Sequence, residues 1–477
     1  MQKMLIGGHL VGAEQWVEVL DPYTQQALDH VARGGAAHVD QAVQLAKLGA
    51  QAMRALSLAQ RAHILKQVAH LIQQERHSLA SLLVQETGKL IHEARIEVER
   101  ASMVYELAAE ACHHPRATQF PPESFTDGAS RFGFWAREPL GVVSAILAFN
   151  LPLAHAAQKT APAIAAGNAV ILKPSREAPL TVLRLGLLLH RAGVPPEALS
   201  ILTGVGEEIG RALAAHPDVN LLTFIGSREV GVHLSAEAGS KRIELELESF
   251  SVLLMTESAT VEEVADAIVQ CGFMMAGQSA SAIQHVWAPA SRLNALIEDL
   301  VPRVEALKPG NPMEEETTLA PLINPHAVER VAEWVQEAVA GGAQVLTGGR
   351  AEPPFYMPTL LTNLPDVCRL YREAVFGPVV ALHAYDDLSA TLKTLNALLT
   401  PYRLAVYTQN LAEAFEIARH ANALSVHIND FPVLPIDPVI RGDLQEHHLC
   451  FEDMLQRIER VSRPKYVGFG AMRLLEG

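Results

Sequence analysis

The sequence predicts an α/β protein with two lobes, each built on a largely parallel sheet. From residue 131 onward, apolar runs of about four to eight residues alternate with helical patterns of about ten to fifteen, the signature of βαβ units. The alternation occurs twice, and the second series opens near residue 252. The 477 residues are 49% hydrophobic and 19% charged, enough apolar material for more than one core. A disordered or solvating character is excluded.

Taken in order, the elements begin with three long helical patterns over 37–54, 58–86 and 90–113, with Gly88 as a stop signal before the third. Residues 114–130 hold three prolines and one glycine among scattered polar residues, an excursion from the core. The first alternating series then reads GVVSAILAF as strand, 155–166 as helix, AVILK as strand and 179–193 as helix. LSILTG, a helix near 207–216 and NLLTFIG continue it. The second series reads strand 252–256, helix 261–274, strand HVWAP, helices 291–306 and 326–341, then strands AQVLTGG, VVALHAY, LAVYTQ and LSVHIND. The tail 440–477 is charged and ends in a strand-like KYVGFG.

Charge narrows the partners. Thirty-eight basic against 53 acidic residues leave a net charge of −15, which argues against a nucleic-acid backbone or an anionic membrane surface. The four cysteines are Cys112, Cys271, Cys368 and Cys450, with no CxxC pair and a closest spacing of 82 residues. That excludes zinc ribbons and dithiol redox sites, and a reducing cytoplasm is the expected location. The opening MQKMLIGGHLVG lacks the apolar run of a signal peptide. The 20 uncharged residues between Glu138 and Lys159 are interrupted by Gly141, Asn150, Pro152 and His155, so they read as a buried strand turning into a helix. No membrane partner is expected.

Seven segments in order over most of the chain carry a resemblance: ETGKLIHEARIEVERA, FNLPL, LKPS, FIGSREVG, LKPGNPMEEETTLAPLIN, GGAQVLTGG and VFGPVV. Together they resemble the aldehyde dehydrogenase superfamily. The likeness implies a Rossmann-like nucleotide-binding lobe over 1–114 and 136–247 and a catalytic-type α/β lobe over 248–439. Segments 115–135 and 440–477 would form a small β extension for oligomerisation. It also implies NADP or NAD as cofactor, a homo-oligomer (dimer or tetramer), and oxidation of an aldehyde through a cysteine thiol.

The catalytic positions depart from that pattern. Asn150 matches the amide donor to a developing oxyanion, although an Asn there also suits a cap for the helix that follows. Glu246, in IELELES, matches the general base; one polar face of a strand is the plainer reading of Glu244, Glu246 and Glu248. The family's small Gly-Gly turn after that glutamate is replaced by Glu248 and Ser249. After the matching Ala276, Gly277 and Gln278, the nucleophile position holds Ala280, and a methyl group cannot attack a carbonyl. Cys271 lies nine residues upstream and reads as a buried small apolar residue; Ser279 and Ser281 point elsewhere. Glu373 matches, but its neighbour that grips the distal ribose is Ala374. VIRGDLQEHHLC replaces a glycine-rich run near the C-terminus.

The adenine half looks better kept. Lys173 matches the lysine at the adenine-side ribose, and Gly226 with Ser227 opens a helix whose N-terminus would face pyrophosphate. Arg176 stands where NAD-preferring members carry glutamate, and so favours a 2′-phosphate, though a solvated arginine at a helix start explains it equally. His447, His448 and Cys450 read as surface residues, so no metal is expected. The expected function is a pseudoenzyme that has lost aldehyde oxidation and serves as a binding or partner subunit, with its cofactor held weakly or not at all. The alternative is an oxidoreductase acting on an aldehyde hydrate with Glu246 as base.

Overall fold

The computed structural model describes residues 1–114, 118–120, 132–398, 400, 402–432 and 454–469. Four strands precede the helices, which corrects the expectation that helices open the chain: β1 (Met4–Ile6), β2 (His9–Val11), β3 (Trp16–Leu20) and β4 (Ala27–Ala32). β1 and β2 have three residues each, too few for an alternation to show in the sequence. β3 does alternate, burying Val17 and Val19, and pairs with β4 as a separate antiparallel hairpin.

Then come α1 (Ala36–Ala55), α2 (Leu58–Gln74), α3 (Arg76–Thr87) and α4 (Ile91–Ala111). The pattern read as one helix over 58–86 is two helices that meet at Glu75. Its carboxylate takes Arg184 Nε at 2.6 Å and Arg191 Nη1 at 2.7 Å, so long-range ion pairs mark a break that local periodicity carries straight across. Gly88 closes α3 in the left-handed conformation with φ +72°, as its stop signal predicts.

The first lobe continues β5 (Thr118–Phe120), β6 (Phe132–Pro139), β7 (Val142–Ile146), α5 (Pro152–Ala166), β8 (Ala169–Lys173), α6 (Leu180–Arg191) and β9 (Leu199–Ile201). It ends with α7 (Gly206–Ala215), β10 (Leu221–Gly226), α8 (Arg228–Ala238) and β11 (Arg242–Leu247). Its sheet runs β11-β10-β7-β8-β9-β1-β2, parallel except for the β1–β2 edge. Every residue of β7 and β8 is buried, as a sheet with both faces covered requires. Strand order reverses between β7 and β10, which opens a crevice at their carboxyl ends.

The second lobe holds β12 (Phe250–Met255), α9 (Val261–Gly272), β13 (Ile283–Pro289), α10 (Ala290–Glu305), α11 (Pro325–Ala340) and β14 (Gln344–Thr347). A hairpin of β15 (Ala351–Glu352) and β16 (Phe355–Tyr356) is followed by β17 (Thr359–Thr362), α12 (Arg369–Arg372) and β18 (Val379–Tyr385). The last of this lobe's strands are β19 (Tyr402–Tyr407) and β20 (Ser425–Ile428). The sheet order is β14-β17-β18-β13-β12-β19-β20, parallel except at β14. Near the C-terminus, β21 (Ser462–Phe469) pairs with β6 from Ser462↔Pro139 to Phe469↔Phe132, and β5 completes a third, three-stranded sheet. No helix among the described residues is long and apolar enough to cross a membrane.

The carboxyl edge of the first sheet leads to Asn150, Lys173, Gly226 and Glu248. The amino edge of the second is entered from Ser249, Ala280, Gly377 and Arg403. Hydrogen bonds join the two edges, from Asn150 Nδ2 to the Gln278 carbonyl and from Met275 N–H to Glu93.

Candidate active site

The helix α4 and the turn before it build one wall. Lys89 is buried, ion-paired with buried Glu97, and donates to the Asn150 carbonyl at 2.7 Å. The other Glu97 oxygen accepts from the N–H groups of Leu153 and Ala154 at 2.9 and 3.1 Å, capping the first turn of α5. Glu86 does the same for α6, accepting from Leu180 and Thr181 at 2.8 and 3.0 Å; burial pushes its carboxyl up to about 7 against the pull of those N–H groups. Glu93 accepts from Leu90 N–H and, across the crevice, from Met275 N–H at 2.7 Å. These roles were missed in the sequence. Their signal is the spacing of Lys89, Glu93 and Glu97 at i, i+4, i+8 beside an apolar helix face.

Glu93 holds an unusual backbone. Met275, Ala276 and Gly277 are consecutive left-handed residues with φ of +51°, +52° and +72°. Two of them carry side chains, so each costs of order 1–3 kcal/mol unless the surroundings impose the conformation. Gln278 supplies the rest of the support: its Nε2 donates to Met275 and Pro321 carbonyls, and its Oε1 accepts from Ile323 N–H at 2.9 Å. A Cβ on Gly277 would stand 2.0 Å from the Gly377 carbonyl oxygen, so only glycine fits. Asn150 Nδ2 donates to the Gln278 carbonyl at 3.1 Å. The loop that presents position 280 is thus fully built.

At its tip stands an alanine. Ala280 is half-buried, and its carbonyl accepts from Arg403 Nη1 at 2.6 Å and from Ser249 Oγ at 3.3 Å. Arg403 also donates to Ser249 Oγ at 3.1 Å, which ties the loop to the connection between lobes. Ser279 Oγ accepts from Ser281 N–H at 3.2 Å, a local turn contact across position 280. Cys271 sits in the α9 core, 3% exposed, where burial pushes its thiol up to about 12.

Glu246 lies at the end of β11 and is ion-paired with Lys159 of α5, so the alternating glutamates are more than one solvated face. Next to it, Glu248 is raised above the usual carboxylate range by burial, opposed by Arg330 and reinforced by Glu373. Arg330 itself donates to the Val375 carbonyl at 2.7 Å. Gln284 pins that segment, donating to the Leu370 and Glu373 carbonyls and accepting from Val375 N–H. Ala374 packs against the apolar cluster that contains Phe250 and Leu404.

On the adenine side, Lys173 is 3% exposed, and its Nζ is 3.8 Å from where a Cβ on Gly206, the first residue of α7, would stand. Burial brings its ammonium down to about 8, partly offset by Glu177. Gly226 and Ser227 lead into α8, whose Val230 N–H is capped by Ser227 Oγ at 3.5 Å. Arg176 is exposed on the turn after β8. His447, His448 and Cys450 lie outside the described residues; among those described, no three His, Cys, Asp or Glu side chains are grouped to hold a metal.

The Aldehyde dehydrogenase family pattern matches residues 10–442. The chain is 34% identical over 464 residues to 3-sulfolactaldehyde dehydrogenase of Priestia aryabhattai, covering 97% of each chain. Aldehyde dehydrogenase 21 from Physcomitrella patens, solved with the reaction product succinate, superposes with a TM-score of 0.93 at 28% identity over 99% of both chains. Glyceraldehyde-3-phosphate dehydrogenase GapN from Methanocaldococcus jannaschii, solved with NADP, gives 0.90 at 27% identity over 96% of this chain and 100% of that one.

Proposed function

This chain belongs to the aldehyde dehydrogenase family, and from that premise we propose that it does not carry out thiol-dependent aldehyde oxidation but acts as a nucleotide-binding or partner subunit. Ala280 carries the reading. An acyl-enzyme needs a nucleophile with a lone pair, and the side chain at position 280 offers none. The Arg403–Ser249 contacts to the Ala280 carbonyl support it further, because they couple two departures from the family pattern. The adenine half, with Lys173, Arg176, Gly226 and Ser227, would hold NADP or NAD through ribose and pyrophosphate contacts; when bound whole, such a cofactor supplies a hydride acceptor. We further propose the domain division 1–114 with 136–247, then 248–439, with 115–135 and 440–477 as bridging segments. The β6–β21 sheet is proposed as the seat of a cytoplasmic homo-oligomer.

One observation favours a second reading. The Lys159–Glu246 pair keeps a carboxylate in the crevice, as a cysteine-independent oxidation of an aldehyde hydrate would need, with Glu246 taking the hydrate proton. Incubating the purified chain with NAD+ or NADP+ and a panel of aldehydes, small anionic ones included, separates the two. The first reading expects no NAD(P)H above background; turnover near the enzymatic median of ~10 s⁻¹ overturns it.

A further inference from the structure

The structure fits the two ends of a pyridine dinucleotide unequally. The Glu248 N–H donates to the Gly226 carbonyl at 3.1 Å, extending the β10–β11 pairing one residue past Leu247. Glu248 therefore keeps the strand alternation and shares a face with Glu246, with Cβ atoms about 7 Å apart. Leu247 faces the other way, toward α8, where a Cβ on Gly231 would come within 2.4 Å of it. The Glu246 face is the crevice face, since it meets Lys159.

From there Glu248 reaches the second lobe. Arg330 and Glu373 both act on its carboxyl, and Arg330 is itself fixed by the Val375 and Phe376 carbonyls. The Glu248 backbone is thus fixed at the Gly226 turn, and its carboxyl lies near enough to Arg330 and Glu373 to feel both charges. Beyond it, Ala374 offers a ribose no hydrogen-bonding group and packs into the apolar cluster instead. At the other end of the crevice, Lys173 Nζ lies 3.8 Å from where a Cβ on Gly206, the first residue of α7, would stand, and donates to the Pro174 carbonyl at 2.8 Å.

We infer that Glu248 is a specificity-determining residue that ends the nucleotide site at the Gly226 turn, so that the crevice takes an adenosine phosphate in preference to a whole pyridine dinucleotide. The inference rests on the reading that the adenine half of the crevice is retained. Two effects act together. The side chain fills space next to a backbone that the dinucleotide would have to approach, and its carboxylate repels the bridging phosphates.

Calorimetry on the full chain with adenosine 2′,5′-bisphosphate and NADP tests it, using wild type and Glu248→Gly. The bisphosphate should bind wild type at least as tightly as NADP. Glu248→Gly should raise NADP affinity about tenfold or more and leave the bisphosphate within about twofold. If the glycine variant does not fold, Glu248→Gln is expected to raise NADP affinity about threefold by removing the charge alone. NADP binding wild type about tenfold more tightly than the bisphosphate, or an equal gain for both ligands in the variant, would overturn the inference. No bisphosphate binding by folded wild type would instead remove the retained crevice on which it rests.

Discussion

The Arg403 guanidinium donates to the carbonyl oxygen of Ala280 at 2.6 Å, from a side chain only 7% exposed. It also reaches Ser249, so the residue at the nucleophile position, the residue in place of a glycine turn and a buried cation form one network. Burying a guanidinium costs several kcal/mol unless its surroundings compensate. The departures at positions 249 and 280 are therefore coupled through Arg403, and reverting one leaves the other in place.

Ala280→Cys alone should accordingly restore almost nothing. The thiol would sit on a correctly supported loop, but Glu248, Ser249 and Ala374 still disfavour a whole dinucleotide. Aldehyde-dependent NADPH formation is expected to stay at least about a thousandfold below ~10 s⁻¹. Robust turnover by the single variant would show that one missing atom was the whole defect.

Lys89→Met should destabilise the protein by about 3–5 kcal/mol, because it leaves the Glu97 carboxylate buried without its cation. Urea unfolding measures the loss. The double variant Lys89→Met with Glu97→Leu should recover part of it, though the two α5 N–H groups then lose their acceptor.

The His285–His383 pair should subtract stability as pH drops from about 6.5 toward 4, while Glu86, raised to about 7 by burial, adds stability over the same fall. His285 Nδ1 and His383 Nε2 share a 3.1 Å hydrogen bond beneath Trp287 and Tyr371. Burial lowers His383 to about 4, and burial with the neighbouring His383 holds His285 well below the usual range. Above the unfolded pKa of about 6.5 both states are neutral and the pair adds no pH dependence. Below it the unfolded chain takes up protons that the native state refuses, at about 1.4 kcal/mol per pH unit for each imidazole. His383→Gln should flatten the curve between pH 6 and 5 by about that amount, as seen in unfolding midpoints.

Arg176 predicts a 2′-phosphate preference. Adenosine 2′,5′-bisphosphate should bind more tightly than ADP by about tenfold, and Arg176→Glu should abolish or reverse the ranking. Equal affinities in the wild type would assign Arg176 to the solvated surface, where its exposure places it.

Most of the scaffold was legible in the sequence because periodicity is a local signal. AVILK is β8 residue for residue, and the pattern over 37–54 lies within α1. That residue 280 is an alanine was legible too, since it depends on nothing but the sequence. Two things were not. The break at Glu75 is marked by Arg184 and Arg191, more than a hundred residues away, and the strand Met4–Ile6 is held between β2 and the distant β9.

The sequence by itself determined the family pattern, the two α/β series and the alanine at position 280. Only the tertiary structure decided what the remaining charges do. Lys89, Glu93 and Glu97 are evenly spaced along the chain, yet one meets the Asn150 turn, one the left-handed Met275 backbone and one the α5 N-terminus. Arg403 is an ordinary strand residue in sequence and becomes the cation under Ala280 because β19 lies beside β12 in the sheet. The physical reason is one of range. Alternation and helical period act between neighbours in the chain, whereas the energy of a buried charge depends on which partners folding brings within about 3 Å of it.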